Sequence, residues 1–237
     1  MEKYACYEDS NDFFESLALK ISELAKKTIL RNNEFKVVLT GGNSYQSLYK
    51  SLAALDLEWK QWKFFITDER FVTQNSYLRN SRKINNELFS RIKVPKKNIN
   101  FMKPELGVDR AILEYEKVIL QAGKFDLVLL SYGRDGHIAS LFPRAKYPRN
   151  RLVVIERNSP KLPKKRISLS YETLNNSENI IKLISGNNKK SLMKSFFSKK
   201  IPSKSIVGDN SITCINKNLI PLELQNECID YHSTFWR

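Results

Sequence analysis

A chain of 237 residues is long enough for one sizeable core, and 41% hydrophobic with 27% charged residues is ordinary globular composition, which excludes a disordered or low-complexity protein. The 40 Lys and Arg against 25 Asp and Glu leave a net charge of +15. These basic residues fall in short scattered pairs such as Lys26-Lys27, Lys96-Lys97 and Lys164-Lys165. They therefore read as solvated faces whose field attracts a small phosphate ester, and nucleic acid is not the expected partner.

No stretch of roughly 18 apolar residues occurs, and MEKYACYEDSNDFF lacks a basic segment followed by an apolar one, so no membrane partner and a cytoplasmic location are expected. Cys6, Cys214 and Cys228 are widely spaced, with no CxxC, and are expected to be free thiols.

In chain order, Phe13, Phe14, Leu17, Ile21, Leu24 and Ile29 recur at helical spacing behind the capping candidates Ser10 and Asn11. Short β-rich runs follow at Val37 to Leu39, Phe64 to Ile66, Ile99 to Phe101 and Leu127 to Leu130, with helical segments at Tyr45 to Ala54, Ser81 to Ile92 and Arg110 to Gln121 between them. This alternation predicts buried parallel strands in an open, doubly wound α/β sheet with helices on both faces, formed by a single domain over residues 1–237. Further strands are expected at Leu152 to Ile155, Ile167 to Leu169 and Ile180 to Ile184, with a Pro- and Lys-rich link at Ser159 to Lys165 and a helix near Lys189 to Phe197. Residues 219–237 form an unassigned tail.

In such a sheet ligands lie outside the carboxyl ends of the strands, which points to three loops. Thr40-Gly41-Gly42-Asn43-Ser44 is either a tight turn or an anion cradle, in which glycines permit close backbone approach and Asn43 or Ser44 caps the next helix. Thr67-Asp68-Glu69-Arg70 is either a surface ion-pair cluster or a site where Arg70 grips an anion with two parallel donors. Ser131 to Pro143, SYGRDGHIASLFP, follows the most apolar strand, and Gly133 and Gly136 allow a turn that exposes Asp135 and His137. A neutral imidazole there can take a proton from water. The other histidine, His232, lies near the C-terminus.

Together GGNSYQSLY, TDERFV with Asn80 beyond it, and GRDGHIASLFP resemble the 6-phosphogluconolactonases, within the group that includes glucosamine-6-phosphate deaminases. The order and approximate spacing match from Val37 to Pro143. The resemblance continues through Ser159 to Ser168, with its Arg166, and through Gly186-Asn187-Asn188-Lys189. Deaminases follow their DGH with a stretch ending in Asn-Glu-Pro, whereas this chain reads Ala139-Ser140-Leu141-Phe142-Pro143, so the lactonase branch fits.

The resemblance implies a Rossmann-like, mainly parallel α/β fold that hydrolyses 6-phosphoglucono-1,5-lactone, a sugar phosphate of the pentose phosphate pathway, with no cofactor and no metal. It implies that His137 is the general base, with Asp135 or Asp68 orienting the ring or the water. Gly41, Gly42, Asn43, Ser44, Arg70, Asn80, Arg166 and Lys189 are implied to hold the phosphate and the developing oxyanion. A deaminase or isomerase of the same fold is the nearest rival reading, and a catalytically inactive nucleic-acid-binding relative the more distant one. The chain departs from the family at Ser131 and Arg79, usually glycine and serine, and near Ile212 to Lys217, where Asn216 stands in place of an acid.

Overall fold

The apolar runs bounded by turn residues form the strands of one parallel sheet. The computed structural model describes residues 3–8, 10–186, 189–197, 201–221 and 229–230. In chain order the sheet strands are β1 (Lys3–Tyr7), β2 (Phe35–Leu39), β3 (Trp62–Ile66), β5 (Ile99–Asn100), β6 (Phe125–Ser131), β9 (Ser177–Ile184), β10 (Asn210–Asn216) and β11 (Ile229–Asp230). They run in the spatial order β11-β1-β10-β9-β6-β2-β3-β5, and every neighbouring pair is parallel. Four longer helices accompany them, α1 (Ser10–Asn32), α2 (Gln46–Ala53), α4 (Val108–Ala122) and α6 (Lys190–Phe197), with a short α3 (Asn80–Ile84) between α2 and α4. Among the described residues no helix is long and apolar enough to cross a membrane.

Burial explains the composition of each element. β6, FDLVLLS, sits mid-sheet with its first six residues buried, as expected where both faces of a parallel sheet are covered. α4 buries Ala111, Ile112, Tyr115 and Ile119, an apolar stripe at helical spacing. The Tyr115 hydroxyl accepts from the Ile66 N–H at 2.9 Å and so pins the carboxyl end of β3.

The strand order sets the location of the site. From β2 the chain moves outward to β3 and β5, then returns to lay β6 on the other side of β2 and continues to β9 and β10. The loops after β2 and β6 therefore diverge at a topological switch point, the usual position of a ligand crevice in an open α/β sheet.

Several expectations are corrected. Thr67 to Arg70 is not a loop: the Thr67 N–H donates to the Leu39 carbonyl at 2.9 Å, and the chain then enters β4 (Asp68–Arg70). β4 pairs antiparallel with β8 (Arg166–Leu169), which pairs with β7 (Val153–Glu156). The expected strands around 152–155 and 167–169 thus build a separate small sheet rather than extending the large one. The helix expected from Ser81 to Ile92 is α3 followed by a π-helical turn, Asn85–Phe89. Neither Asn43 nor Ser44 caps α2, whose N-cap is Tyr45 with no side-chain capping bond. A short α5 (Tyr171–Asn175) is capped by Ser170, whose hydroxyl accepts from the Thr173 N–H.

β1, β10 and β11 were not expected: β11 is a two-residue edge strand, and β1 (KYACY) and β10 (NSITCIN) mix polar residues with apolar ones and show weak alternation. β11 lies within the tail that the sequence leaves unassigned, and pairs with β1 so that Cys6 stands opposite Asp230. Cys6 is disulfide-bonded, against the expectation of free thiols, because the fold brings chain ends together that sequence spacing separates. Cys214 is free and buried. Cys228, His232, Asn187 and Asn188 lie outside the described residues.

Candidate active site

A cavity of about 470 Å³ opens at the switch point, lined by the loops after β2 and β6, by β4 and β8, and by Asn80, Lys161 and Lys189. It brings together Gly41, Gly42, Asn43, Ser44, Asp68, Arg70, Asn80, His137, Arg166 and Lys189 from positions scattered across the chain. Asp135 faces a neighbouring cavity, while its carboxylate is hydrogen-bonded to His137.

The small sheet explains the Asp-Glu-Arg order. Side chains alternate along a strand, so Asp68 and Arg70 share one face and Glu69 takes the other. Both Asp68 and Arg70 line the cavity. Glu69 is fully buried, accepting the backbone N–H groups of Arg70, Asn80 and Ser81 at 2.8 Å each. Arg79 places its guanidinium Nε 3.6 Å from Glu69 and its NH2 3.1 Å from Glu105. The unusual Arg79 thus supplies a buried counter-charge for Glu69, and this acid anchors the start of α3. Asn80 is fixed in turn, its amide donating to the Asp68 carbonyl at 2.9 Å.

Close approach explains two glycines. A Cβ at Gly41 would lie 2.1 Å from the Asn80 Cγ, and a Cβ at Gly133 would lie 2.0 Å from Cε1 of His137. The imidazole therefore rests on the Gly133 backbone, and its ring centre lies 4.5 Å from that of Phe142. Gly133→Ala is expected to displace the ring and lower kcat by about 10²-fold, the usual penalty for an ångström of misplacement. Steady-state kinetics beside a thermal melt check this, and full activity in a folded variant would exclude the packing constraint.

His137 is largely buried, with 14% of its side chain exposed, and its Nδ1 is hydrogen-bonded to the Asp135 Oδ1. Partial burial alone would raise the Asp135 carboxyl, but the hydrogen bond and charge of His137 outweigh it and hold the group at about 2. An ionised Asp135 accepts the Nδ1 proton, which leaves Nε2 as the ring's free acceptor. Asp68 is engaged elsewhere, accepting from the Ser140 hydroxyl at 2.6 Å and from the Thr67 hydroxyl at 3.0 Å. Of the two carboxylates the sequence left open, Asp135 is the one hydrogen-bonded to the imidazole.

Opposite the imidazole chemistry stands an excess of positive charge. Arg70, Arg134, Lys161, Arg166 and Lys189 line the cavity against one carboxylate, Asp68. Arg70 and Arg166 are direct cross-strand partners, an arrangement of like charges that is unfavourable until an anion bridges them. Arg166 is held by carbonyls of the Pro-rich link, donating to Pro163 at 3.0 Å and to Lys161 at 3.1 Å. Burial, then the charge of Arg70, pushes its pKa down. Lys189 is 7% exposed, and burial with the nearby Lys161 lowers it to about 8.

Arg134 and Lys161 were not singled out from the sequence. Arg134 was visible within the GRDGH stretch, but nothing in spacing distinguished it from the protein's many surface cations. Lys161 lines the cavity from the Pro-rich link, whose Lys161 and Pro163 carbonyls accept from Arg166.

A parallel α/β sheet, with a cationic crevice at its switch point and an imidazole–carboxylate pair on the wall, defines a protein built to act on a small anionic substrate. The chain belongs to the family described as glucosamine-6-phosphate isomerases/6-phosphogluconolactonase, whose family model matches residues 8–214. It is 34% identical over 192 residues to a 6-phosphogluconolactonase of Thermotoga maritima, spanning 80% of this chain and 86% of that protein. A probable 6-phosphogluconolactonase of Drosophila melanogaster is 31% identical over 198 residues, spanning 80% and 81% of the two chains. The crystal structure of the 6-phosphogluconolactonase from Thermotoga maritima superposes with a TM-score of 0.84 at 29% identity, covering 91% of this chain and all of that one. A monomeric glucosamine-6-phosphate deaminase shares the fold, with a TM-score of 0.78 at 18% identity over 92% of this chain and 98% of its own.

Proposed function

We propose that the protein hydrolyses 6-phospho-D-glucono-1,5-lactone to 6-phosphogluconate, with His137 as general base. The observation that supports this reading most is the His137–Asp135 pair beside a cavity with five cations and one carboxylate. Nε2 takes a proton from water as the oxygen attacks the lactone carbonyl, and Asp135 stabilises the imidazolium that forms. The tetrahedral intermediate then expels the ring oxygen, which takes the proton back from the imidazolium. The product acid releases a proton to solvent. Arg70, Arg166, Lys189 and the Gly41 to Ser44 backbone hold the phosphate and the developing oxyanion. A coupled assay with freshly generated lactone, corrected for spontaneous hydrolysis and run beside amino-sugar deamination, tests the assignment. Deamination without lactone hydrolysis refutes it.

The same cations predict that unphosphorylated gluconolactone is a much poorer substrate and that inorganic phosphate competes. Lys189 adds a sign to the pH dependence. It loses its charge near pH 8 in the empty protein, and a bound phosphate favours the protonated form. The inhibition constant of phosphate should therefore weaken as pH rises through about 8, and Lys189→Met should flatten that slope. Equal turnover of the two lactones would sink the anion-site assignment.

The cytosolic location expected from the sequence is likewise a proposal, and the Cys6 disulfide is the observation that opposes it. Thiol alkylation in freshly lysed cells, followed by counting free cysteines, decides between the two.

A further inference from the structure

A second cavity of about 940 Å³, twice the volume of the first, lies on the far side of the His137–Asp135 pair. Its walls come from the segment after the GRDGH turn and from β7 with the loop that follows it. The floor is settled: the Tyr147 hydroxyl donates to Glu156 at 2.7 Å and accepts from the Phe142 N–H at 3.0 Å. The other Glu156 oxygen accepts from the Asn158 N–H at 2.6 Å. Its acid is therefore committed, and the rim cations Arg144, Lys146 and Arg157 pair with no carboxylate among the described residues. Phe142, Pro143, Ile155 and Pro160 give the same cavity an apolar wall.

We propose that this cavity is an effector site for a nucleotide, with phosphates on Arg144, Lys146 and Arg157 and the base against the apolar wall. Three cations without carboxylate partners on the rim of one cavity suit a polyanion, and their flexible, exposed side chains can reach phosphate oxygens. The volume favours a nucleotide over a sugar phosphate, because the catalytic cavity at half the size already suits the latter. The site reaches catalysis through shared residues. Asp135 and Phe142 line this cavity, and both touch His137, one by a hydrogen bond and the other ring to ring. An occupant therefore acts on the groups that hold the general base without entering the substrate cavity.

Isothermal titration of the intact protein with ADP, ATP, inorganic phosphate and 6-phosphogluconate tests the proposal. Expected is saturable nucleotide binding that 6-phosphogluconate does not displace and that Arg144→Ser/Arg157→Ser weakens at least about tenfold, the loss of one or more charge-assisted hydrogen bonds. The double variant should keep its basal lactone turnover, and saturating ADP should change kcat of the parent with little change in KM. Four results overturn the proposal: no saturable nucleotide binding, displacement by 6-phosphogluconate, full affinity in the double variant, or a kcat indifferent to bound nucleotide. Tighter binding of 6-phosphogluconate than of nucleotide in this cavity also overturns it, by making the site one for sugar phosphates. The binding measurements need no lactonase activity, so they stand or fall separately from the catalytic assignment.

Discussion

His137→Ala is expected to lower kcat for the lactone by about 10²–10⁴-fold, the range that a positioned general base contributes. The ring rests against Gly133 and Phe142 at the edge of the cavity rather than in the central core, so the variant should fold and melt near the parent. Asp135→Asn separates base strength from ring placement. An amide in place of the carboxylate can donate to Nδ1, which would put the remaining ring proton on Nε2, the nitrogen that must accept from water. Its kcat should therefore fall as well, with KM little changed.

The pH profile distinguishes the two members of the pair. Asp135 is lowered from 3.8 to about 2, so the stability that its ionised form gives the fold is complete above pH 4 and fades only as pH falls through about 2. Activity is then expected to fall as pH drops from about 8 to 5, because a protonated imidazole cannot take a proton from water. A flat profile across that range, or an active His137→Ala protein, removes His137 from the mechanism.

Much of this site was legible in the sequence because its parts sit at strand ends. β2, β3 and β6 are short apolar runs, and the rule that ligands lie beyond their carboxyl ends selects the Gly41, Asp68 and His137 segments without a structure. Choosing between Asp68 and Asp135 was out of reach, because both follow strands and only their partners differ: Ser140 and Thr67 for one, the imidazole for the other. The role of Glu69 was hidden for another reason. Three residues are too few to show alternation, so β4 read as a loop, and its split between a cavity face and a buried face became visible only through its pairing with β8. Lys161 illustrates a third limit. A lysine in a Pro-rich link has no local signal for facing a cavity, and the carbonyls that Arg166 engages lie up to five residues away in the chain.

Arg70→Lys is expected to lower kcat/KM by about 10–100-fold while leaving the melting temperature near that of the parent, the loss of one or two charge-assisted hydrogen bonds. The substitution keeps the charge, so simple attraction of the phosphate survives it. What disappears is geometry. Arg70 spends one nitrogen on the Leu78 carbonyl at 2.8 Å, and its buried Nε has no partner among the described residues. A guanidinium can hold that carbonyl and still present a planar edge to an anion, whereas a single ammonium on a flexible stem must choose. The residue makes no ion pair with Asp68 or Glu69: Glu69 is taken by backbone N–H groups and Arg79, and Asp68 by two hydroxyls. A solvated surface pair would predict a stability change below about 1 kcal/mol with untouched kinetics. The cross-strand position opposite Arg166 predicts the reverse, because the two cations repel until substrate phosphate lies between them. Measuring kcat/KM and the melting curve on one purified variant decides the matter. Unchanged kinetics would take Arg70 out of the site, and a collapsed melting temperature would make its role structural.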